Sequence, residues 1–186
     1  MSESLSEEAK TKPIEIWFQD EARVGQKGTL TRIWAERGSR PRAPRDQRYA
    51  WAYLFGAVCP ARATGAAVVL PFADAWAMSE HLKEISRCVA PGAHAVVVTD
   101  GAGYHEKGCR DIPDNISILT LPSYSPELNP TENVWQYLRQ NHLANTVFDT
   151  YQDIVGSCCS AWNDLMRLPE AIVSITQREW AKPVIS

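Results

Sequence analysis

The chain changes from strand to helix through the segment Pro122-Ser-Tyr-Ser-Pro-Glu-Leu-Asn-Pro-Thr-Glu-Asn-Val-Trp135. Three prolines within its first nine residues restrict the backbone and favour a rigid loop. Asn129 is a favourable N-cap and Pro130 is favourable as the first helical residue, which places Glu132 in the first turn of a helix. The segment therefore predicts a loop that presents one acidic side chain at the start of a helix.

Two aspartates end strand-like segments upstream of this loop. Apolar residues alternate along 14–18 with the parity of Asp20, so a strand that buries them would point Asp20 to the same face. Residues 93–99 form a β-branched run typical of a strand buried on both faces, and Asp100 follows it directly. Ligands of open α/β sheets bind at the carboxyl ends of strands, so both aspartates are candidate site residues.

The order of patterns predicts the fold class. We predict strands over 14–20, 30–36, 49–59, 66–70, 93–99 and 116–121, and helices over 79–89, 130–143 and 151–166. Short connections come first and helix–strand alternation follows, which predicts an α/β fold. Its mixed sheet would have antiparallel first strands, then parallel strands, with helices covering it. We predict a disordered tail over residues 1–12, one domain over residues 13–170 and a C-terminal extension over residues 171–186.

Composition excludes several classes of protein. The 186 residues, 45% of them hydrophobic, suit one globular domain, and no segment approaches the roughly 20 apolar residues of a membrane helix. The first 12 residues are polar and do not form a signal peptide. Five cysteines without a C-x-x-C pair indicate reduced thiols of an intracellular protein. Four histidines without H-x-x-H spacing argue against a zinc site, and no Walker loop or G-x-S-x-G motif is present.

Positive charge is concentrated in residues 22–48. This segment carries eight basic and two acidic side chains, a local charge of +6, so the rest of the chain carries −9 of the net −3. Arginine-rich segments can follow a phosphate backbone, and a solvated hairpin is an equally good interpretation of the pattern. His105, five residues after Asp100, is either a further phosphate contact or a polar loop residue. The basic side chains are Arg23, Lys27, Arg32, Arg37, Arg40, Arg42, Arg45 and Arg48.

The acids Asp20, Asp100 and Glu132 together predict a metal site. Each has a simpler interpretation alone: Asp100 can begin a turn, and Glu132 can complete a capping box with Asn129. Glu127 is a rival acid, but it lies in the loop rather than on the helix. Three carboxylates buried together require cations, and two Mg²⁺ ions about 3.5–4 Å apart would supply them for phosphodiester chemistry.

Three motifs carry a family resemblance. The segments Phe18-Gln-Asp-Glu-Ala-Arg23, Asp100-Gly-Ala-Gly-Tyr-His105 and Pro122 to Glu132 resemble the DDE transposases of the bacterial insertion sequence 630 and mariner superfamily. The resemblance runs from about residue 14 to 165. It implies an RNase H-like fold with Asp20 on the first strand, Asp100 after the fourth and Glu132 on the following helix.

The resemblance also implies an activity. Two Mg²⁺ or Mn²⁺ ions would be held by Asp20, which bridges both, and by Asp100 and Glu132, which hold one each. The implied reaction is nicking at transposon ends and strand transfer into target DNA, usually at TA, by a cytoplasmic, nucleoid-associated protein that acts as a homodimer on DNA. Two features depart from the family. The sequence has no room for the family's N-terminal helix-turn-helix domains, which a separate protein or reading frame would supply. Ser123 also stands where the family often has a proline. Alternatives are a stand-alone RNase H-like nuclease and an inactive domesticated module that binds DNA or protein.

Overall fold

The structure is a computed structural model that describes residues 11–26, 36–39, 49–101, 111–122 and 128–177. Within these ranges, the structure has five strands and four α-helices. A turn of 3₁₀ helix, Pro60–Arg62, joins the second and third strands. The elements in chain order are β1 (Ile14–Gly25), β2 (Trp51–Cys59), β3 (Thr64–Leu70), α1 (Ala75–Cys88), β4 (His94–Thr99), β5 (Ile116–Thr120), α2 (Thr131–Leu138), α3 (Tyr151–Met166) and α4 (Pro169–Thr176).

The strands form one mixed sheet in the order β3-β2-β1-β4-β5. β1, β2 and β3 pair antiparallel, whereas β4 pairs parallel with both β1 and β5. This arrangement confirms the predicted mixed α/β sheet. All six residues of β4 are buried, as its β-branched sequence predicts. The strand predicted over 30–36 lies outside the described residues, except for the exposed, non-strand Glu36.

β1 separates two hydrophobic cores because its side chains alternate between the faces of the sheet. Phe18 belongs to the core that α2, α3 and α4 cover. Its neighbour Trp17 belongs to the core under α1. The predicted parity of β1 is therefore observed, and Asp20 lies on the same face as Phe18.

Two predicted helices differ from the structure in their bounds, and the strand predicted to end at Asp20 continues to Gly25. α1 begins at Ala75, four residues before the predicted start, because the Asp74 carboxylate accepts a hydrogen bond from the backbone N–H of Ala77 and caps the helix. The predicted helix 130–143 ends as an α-helix at Leu138 and continues as a π-helical turn, Arg139–Leu143.

α4 crosses residue 170, where we placed the end of the domain. Ile172 on this helix is fully buried in the same core as Phe18, so the helix packs as part of the domain. The described cysteines carry free thiols, and two of them, Cys59 and Cys158, are buried. In the part of the chain that the structure describes, no helix is both long and apolar enough to span a membrane.

Candidate active site

The parallel pairing of β1 with β4 brings Asp20 and Asp100 to one edge of the sheet. The last residue pair of this register is Phe18 with Val98, and each aspartate lies two residues further along its strand direction. Asp20 is partly buried within β1, while Asp100 is exposed immediately after β4. Asp100 directly follows its strand, as predicted, whereas Asp20 lies in the middle of β1, which continues to Gly25. The two acids lie just beyond the end of the β1–β4 pairing.

The Asp20 carboxyl is held in an unfavourable electrostatic environment. Burial raises its pKa from 3.8 to about 6, and the negative charges of Glu21 and Asp100 contribute to the rise. A hydrogen bond from Trp135 opposes this increase in the pKa. A carboxylate whose ionised form is destabilised by burial and by neighbouring acids is suited to binding a cation, which removes both penalties.

Side chains at the start of α2 attach this helix to β1. Thr131 donates from Oγ1 to the carbonyl oxygen of Phe18 at 3.0 Å, and Asn129 donates from Nδ2 to the carbonyl oxygen of Gln19 at 2.9 Å. The Asn129 Oδ1 also accepts from the Thr131 backbone N–H at 3.1 Å. These bonds begin where the β1–β4 pairing ends, so they fix the helix start against the two residues that precede Asp20.

Glu132 is the second residue of α2 and is exposed. Its side chain is 62% exposed, and its Oε1 lies 3.6 Å from Nη1 of Arg139. The capping box that was the simpler alternative for Glu132 is not formed: the Asn129 side chain accepts from the Thr131 N–H, and Glu132 makes an ion pair. Across the described ranges, no three His, Cys, Asp or Glu side chains lie close enough to hold a metal ion. The structure therefore brings Asp20 and Asp100 together and leaves Glu132 beside Arg139.

Trp135 is a site residue that the sequence interpretation missed. Its Nε1 donates a hydrogen bond to Oδ2 of Asp20 at 2.9 Å. Its ring packs in the core beside that of Trp162, with 6.3 Å between the ring centroids. The available signal was helical spacing, because Trp135 follows Glu132 by three residues and so occupies the same side of the helix. Asn129 and Thr131 were noticed only as helix-start residues, and their bonds to β1 could not be read from spacing.

The predicted DNA-binding cations are only partly described. Arg23 is exposed and lies over the Trp51 ring at 5.0 Å, and Arg37 is exposed. Because Arg23 has the opposite parity to Asp20 on β1, its side chain leaves the other face of the sheet. Its role in binding DNA stays a prediction. Lys27, Arg32, Arg40, Arg42, Arg45, Arg48 and His105 lie outside the described residues.

Comparison with known proteins identifies the family. The family model for the DDE superfamily endonuclease matches residues 15–155, which is most of the chain. The chain belongs to this family. The uncharacterised protein y4pE/y4sA of Sinorhizobium fredii is 56% identical over 131 residues, covering 70% of this chain and 97% of that protein. The predicted membership of the DDE superfamily is thereby confirmed.

Solved structures of this DDE endonuclease fold agree with the architecture. The Mos1 strand transfer complex matches with a TM-score of 0.57 at 18% identity, and the Mos1 mariner paired-end complex with Mn with 0.58 at 17%. Both matches cover 88% of this chain but 55% and 56% of the Mos1 chains, so the chain spans about half of their length. At this identity the likeness confirms the RNase H-like fold.

Proposed function

We propose that this domain cleaves DNA at transposon ends and transfers the strand into target DNA, using two divalent metal ions held by Asp20, Asp100 and Glu132. The observation that carries the proposal is the placement of Asp20 and Asp100 just beyond the last residue pair of two adjacent parallel strands, Phe18 with Val98. Family membership supports the endonuclease class of the reaction. Mos1 has been solved in complexes with Mn and with Mg, which supports the choice of metal.

The donor set fits hard divalent cations. Asp20 and Asp100 offer carboxylate oxygens, the ligands that Mg²⁺ and Mn²⁺ prefer, and burial raises the pKa of Asp20, so a cation beside it would favour its ionised form. Glu132 would join them by leaving Arg139, a change of side-chain rotamer on a helix whose start is already attached to β1. When bound, two such ions activate an attacking hydroxyl and stabilise the leaving oxygen of an in-line displacement.

The protein residues have separate roles in this proposal. Asp20, at the centre of the sheet, would contact both ions, and Asp100 and Glu132 would each hold one. Arg139, released from Glu132 and 45% exposed, would be free to pair with a DNA phosphate. The basic segment 22–48 would follow the DNA backbone away from the site, and His105 would contact the phosphate near Asp100.

Other partners follow from the reaction. Two transposon ends must be brought together, so we propose a homodimer on DNA, and recognition of the ends would fall to a separate helix-turn-helix protein or domain. We place the protein in the cytoplasm on the nucleoid. Sedimentation of the protein with and without a DNA end tests the dimer: a species of doubled protein mass that forms only with DNA is the expected result, and a monomer on DNA contradicts it.

The first experiment is a nicking assay on supercoiled plasmid with Mg²⁺ or Mn²⁺. Asp20→Asn, Asp100→Asn and Glu132→Gln should each abolish metal-dependent nicking while the fold is kept. Asp114→Asn and Glu170→Gln are matched controls, because both acids are exposed and distant in sequence from the three candidates. Unchanged nicking in each of the three single variants would refute the assignment of these acids to the site.

The second experiment separates transposition from simple cleavage. A pre-cut DNA end with a free 3′ hydroxyl is incubated with target plasmid, and joined products are counted. Joining that requires Asp20, Asp100 and Glu132 is expected of a transposase. Cleavage in the first assay without joining in the second would instead indicate a stand-alone nuclease, and failure of both with intact metal binding would indicate an inactive DNA-binding module.

A further inference from the structure

We propose that Trp135 is a positioning residue for the metal ligand Asp20, and that Gly56 exists to admit the Trp135 ring beneath that ligand. The inference rests on the proposed function, since it concerns the same metal site. Trp135 and Gly56 would not ligate the metal themselves. The group of Trp135 that positions Asp20 would be the indole N–H rather than the hydrophobic bulk of the ring.

The hydrogen bond fixes one oxygen of the Asp20 carboxylate. The Trp135 Nε1 lies 2.9 Å from Oδ2, a good distance for an N–H to oxygen bond. The ring itself is almost completely buried, at 2% exposure, so it has little freedom to turn away. The backbone of Glu21 also hydrogen-bonds the carboxylate, so Asp20 is held in one side-chain rotamer, and the carboxylate has further lone pairs for other partners.

The chemistry of the donor suits a metal ligand. An indole N–H carries no net charge and does not titrate in the physiological range, so it orients the carboxylate without neutralising it. A lysine or arginine at this place would compete with the cation for the negative charge of Asp20. Hydrogen bonds of this kind to ligating side chains are general in metal sites, where they fix the orientation of the ligand and raise its affinity for the metal.

Gly56 provides the space for this contact. It is the residue of β2 that pairs directly with Asp20 of β1. A Cβ at Gly56 would lie 2.6 Å from Cη2 of Trp135 and 2.8 Å from Cζ3 of Trp162, which are both far too close. The rings of these tryptophans therefore lie against the bare backbone opposite Asp20, and any larger residue would push Trp135 away from its acceptor.

A matched pair of substitutions tests the N–H. Trp135→Phe and Trp162→Phe each remove an indole from the same core, but only the first removes a hydrogen bond to Asp20. Mn²⁺ affinity is measured by calorimetry or electron paramagnetic resonance on variants whose circular dichroism matches wild type. We expect Mn²⁺ to bind roughly 10–100-fold more weakly to Trp135→Phe and unchanged to Trp162→Phe. Equal affinities in the two variants, whether both normal or both weakened, would overturn the proposal.

A measurement on the wild-type protein removes the dependence on folding of the variants. In a ¹H–¹⁵N spectrum, the Trp135 indole resonance should shift as Mg²⁺ is added, along the curve of site saturation, while the Trp162 indole resonance stays in place. An unmoved Trp135 resonance at saturating Mg²⁺ would overturn the proposal. Gly56→Ala, which displaces the ring while keeping the indole, should weaken Mn²⁺ binding in the same direction as Trp135→Phe, and normal affinity in this variant would show that Gly56 has no part in positioning.

Asp20→Asn separates this inference from the function on which it rests. If Asp20→Asn abolishes Mn²⁺ binding while Trp135→Phe leaves it intact, the metal site stands and the positioning role fails. If Asp20→Asn itself leaves Mn²⁺ binding intact, the proposed site is wrong, and the role of Trp135 fails with it.

Discussion

Asp20→Asn should stabilise the metal-free protein at neutral pH. The substitution keeps an oxygen that can accept the hydrogen bond from Trp135, but it removes a charge that the fold tolerates poorly. The Asp20 pKa is raised from 3.8 to about 6 in the folded state, mainly by burial. At about 1.4 kcal/mol per pKa unit, ionised Asp20 costs the folded state up to about 3 kcal/mol. For a chain of this length that corresponds to roughly 6–12 °C in Tm.

The sign of the effect depends on pH. Because the folded-state pKa is raised, the folded protein binds more protons than the unfolded chain between pH 4 and 6, so ionisation of Asp20 lowers stability as the pH rises. Below about pH 4 the carboxyl is protonated in both states and costs nothing. The advantage of Asp20→Asn over wild type should therefore be small at pH 4.5, grow through pH 6 and level off by pH 7.5.

Thermal denaturation in the presence of a chelator measures this difference. Asp114→Asn is the control, since it removes an exposed carboxylate and should follow wild type at every pH. Added Mg²⁺ should nearly cancel the difference at a hundredfold excess over Kd and reverse it at a thousandfold excess, because binding then stabilises wild type by about 2.7 and about 4.1 kcal/mol and Asp20→Asn has lost a ligand. A difference in Tm that is absent at pH 7.5, or larger at pH 4.5, would refute the electrostatic account of Asp20.

Three further predictions concern the scaffold and the thiols. Glu15→Ala should lower the free energy of unfolding in urea by roughly 1–3 kcal/mol, because the buried Glu15 carboxylate accepts from Trp17 and Arg62; an unchanged midpoint would contradict this. Thr150→Ala should lower the free energy of unfolding in urea by about 1 kcal/mol, because it removes the capping box that begins α3; an unchanged free energy of unfolding would contradict this. Burial raises the pKa of the Cys158 thiol to about 12, so a thiol reagent at pH 8 should label exposed Cys159 at least tenfold faster, and equal rates would contradict the burial of Cys158.

The alternation of apolar residues in β1 and the β-branched composition of β4 predicted the part of the fold that positions the candidate site. The parity of β1 placed Asp20 on the face of Phe18, and the β-branched run of β4 predicted a buried parallel strand ending next to Asp100. Both predictions use patterns that are visible within the sequence of a single strand. The register that aligns Asp20 with Asp100 needed the pairing of two distant strands, and this came from the fold alone.

The cross-strand contacts of the site could not be predicted in the same way. Trp135 was expected on the apolar side of α2, and nothing local shows that its N–H reaches β1. Gly56 has no unusual position in the sequence of β2, and its role becomes visible only when Trp135 and Trp162 lie against it. Glu132 was expected to hold a metal ion, with a capping box as the simpler alternative, and in the structure its carboxylate lies beside Arg139.

The parallel pairing of β1 with β4 also constrains when the protein can become active during synthesis. It joins residue 14 to residue 94 and residue 18 to residue 98, so a long intervening chain must be folded or looped out before the first two acids meet. Contacts of such high sequence separation form late and slowly. α2, which carries Glu132, is made later still and must then attach to β1. A nascent or truncated chain would hold at most a fragment of the proposed metal site, so the proposed nuclease activity would begin only when translation of the domain is nearly complete.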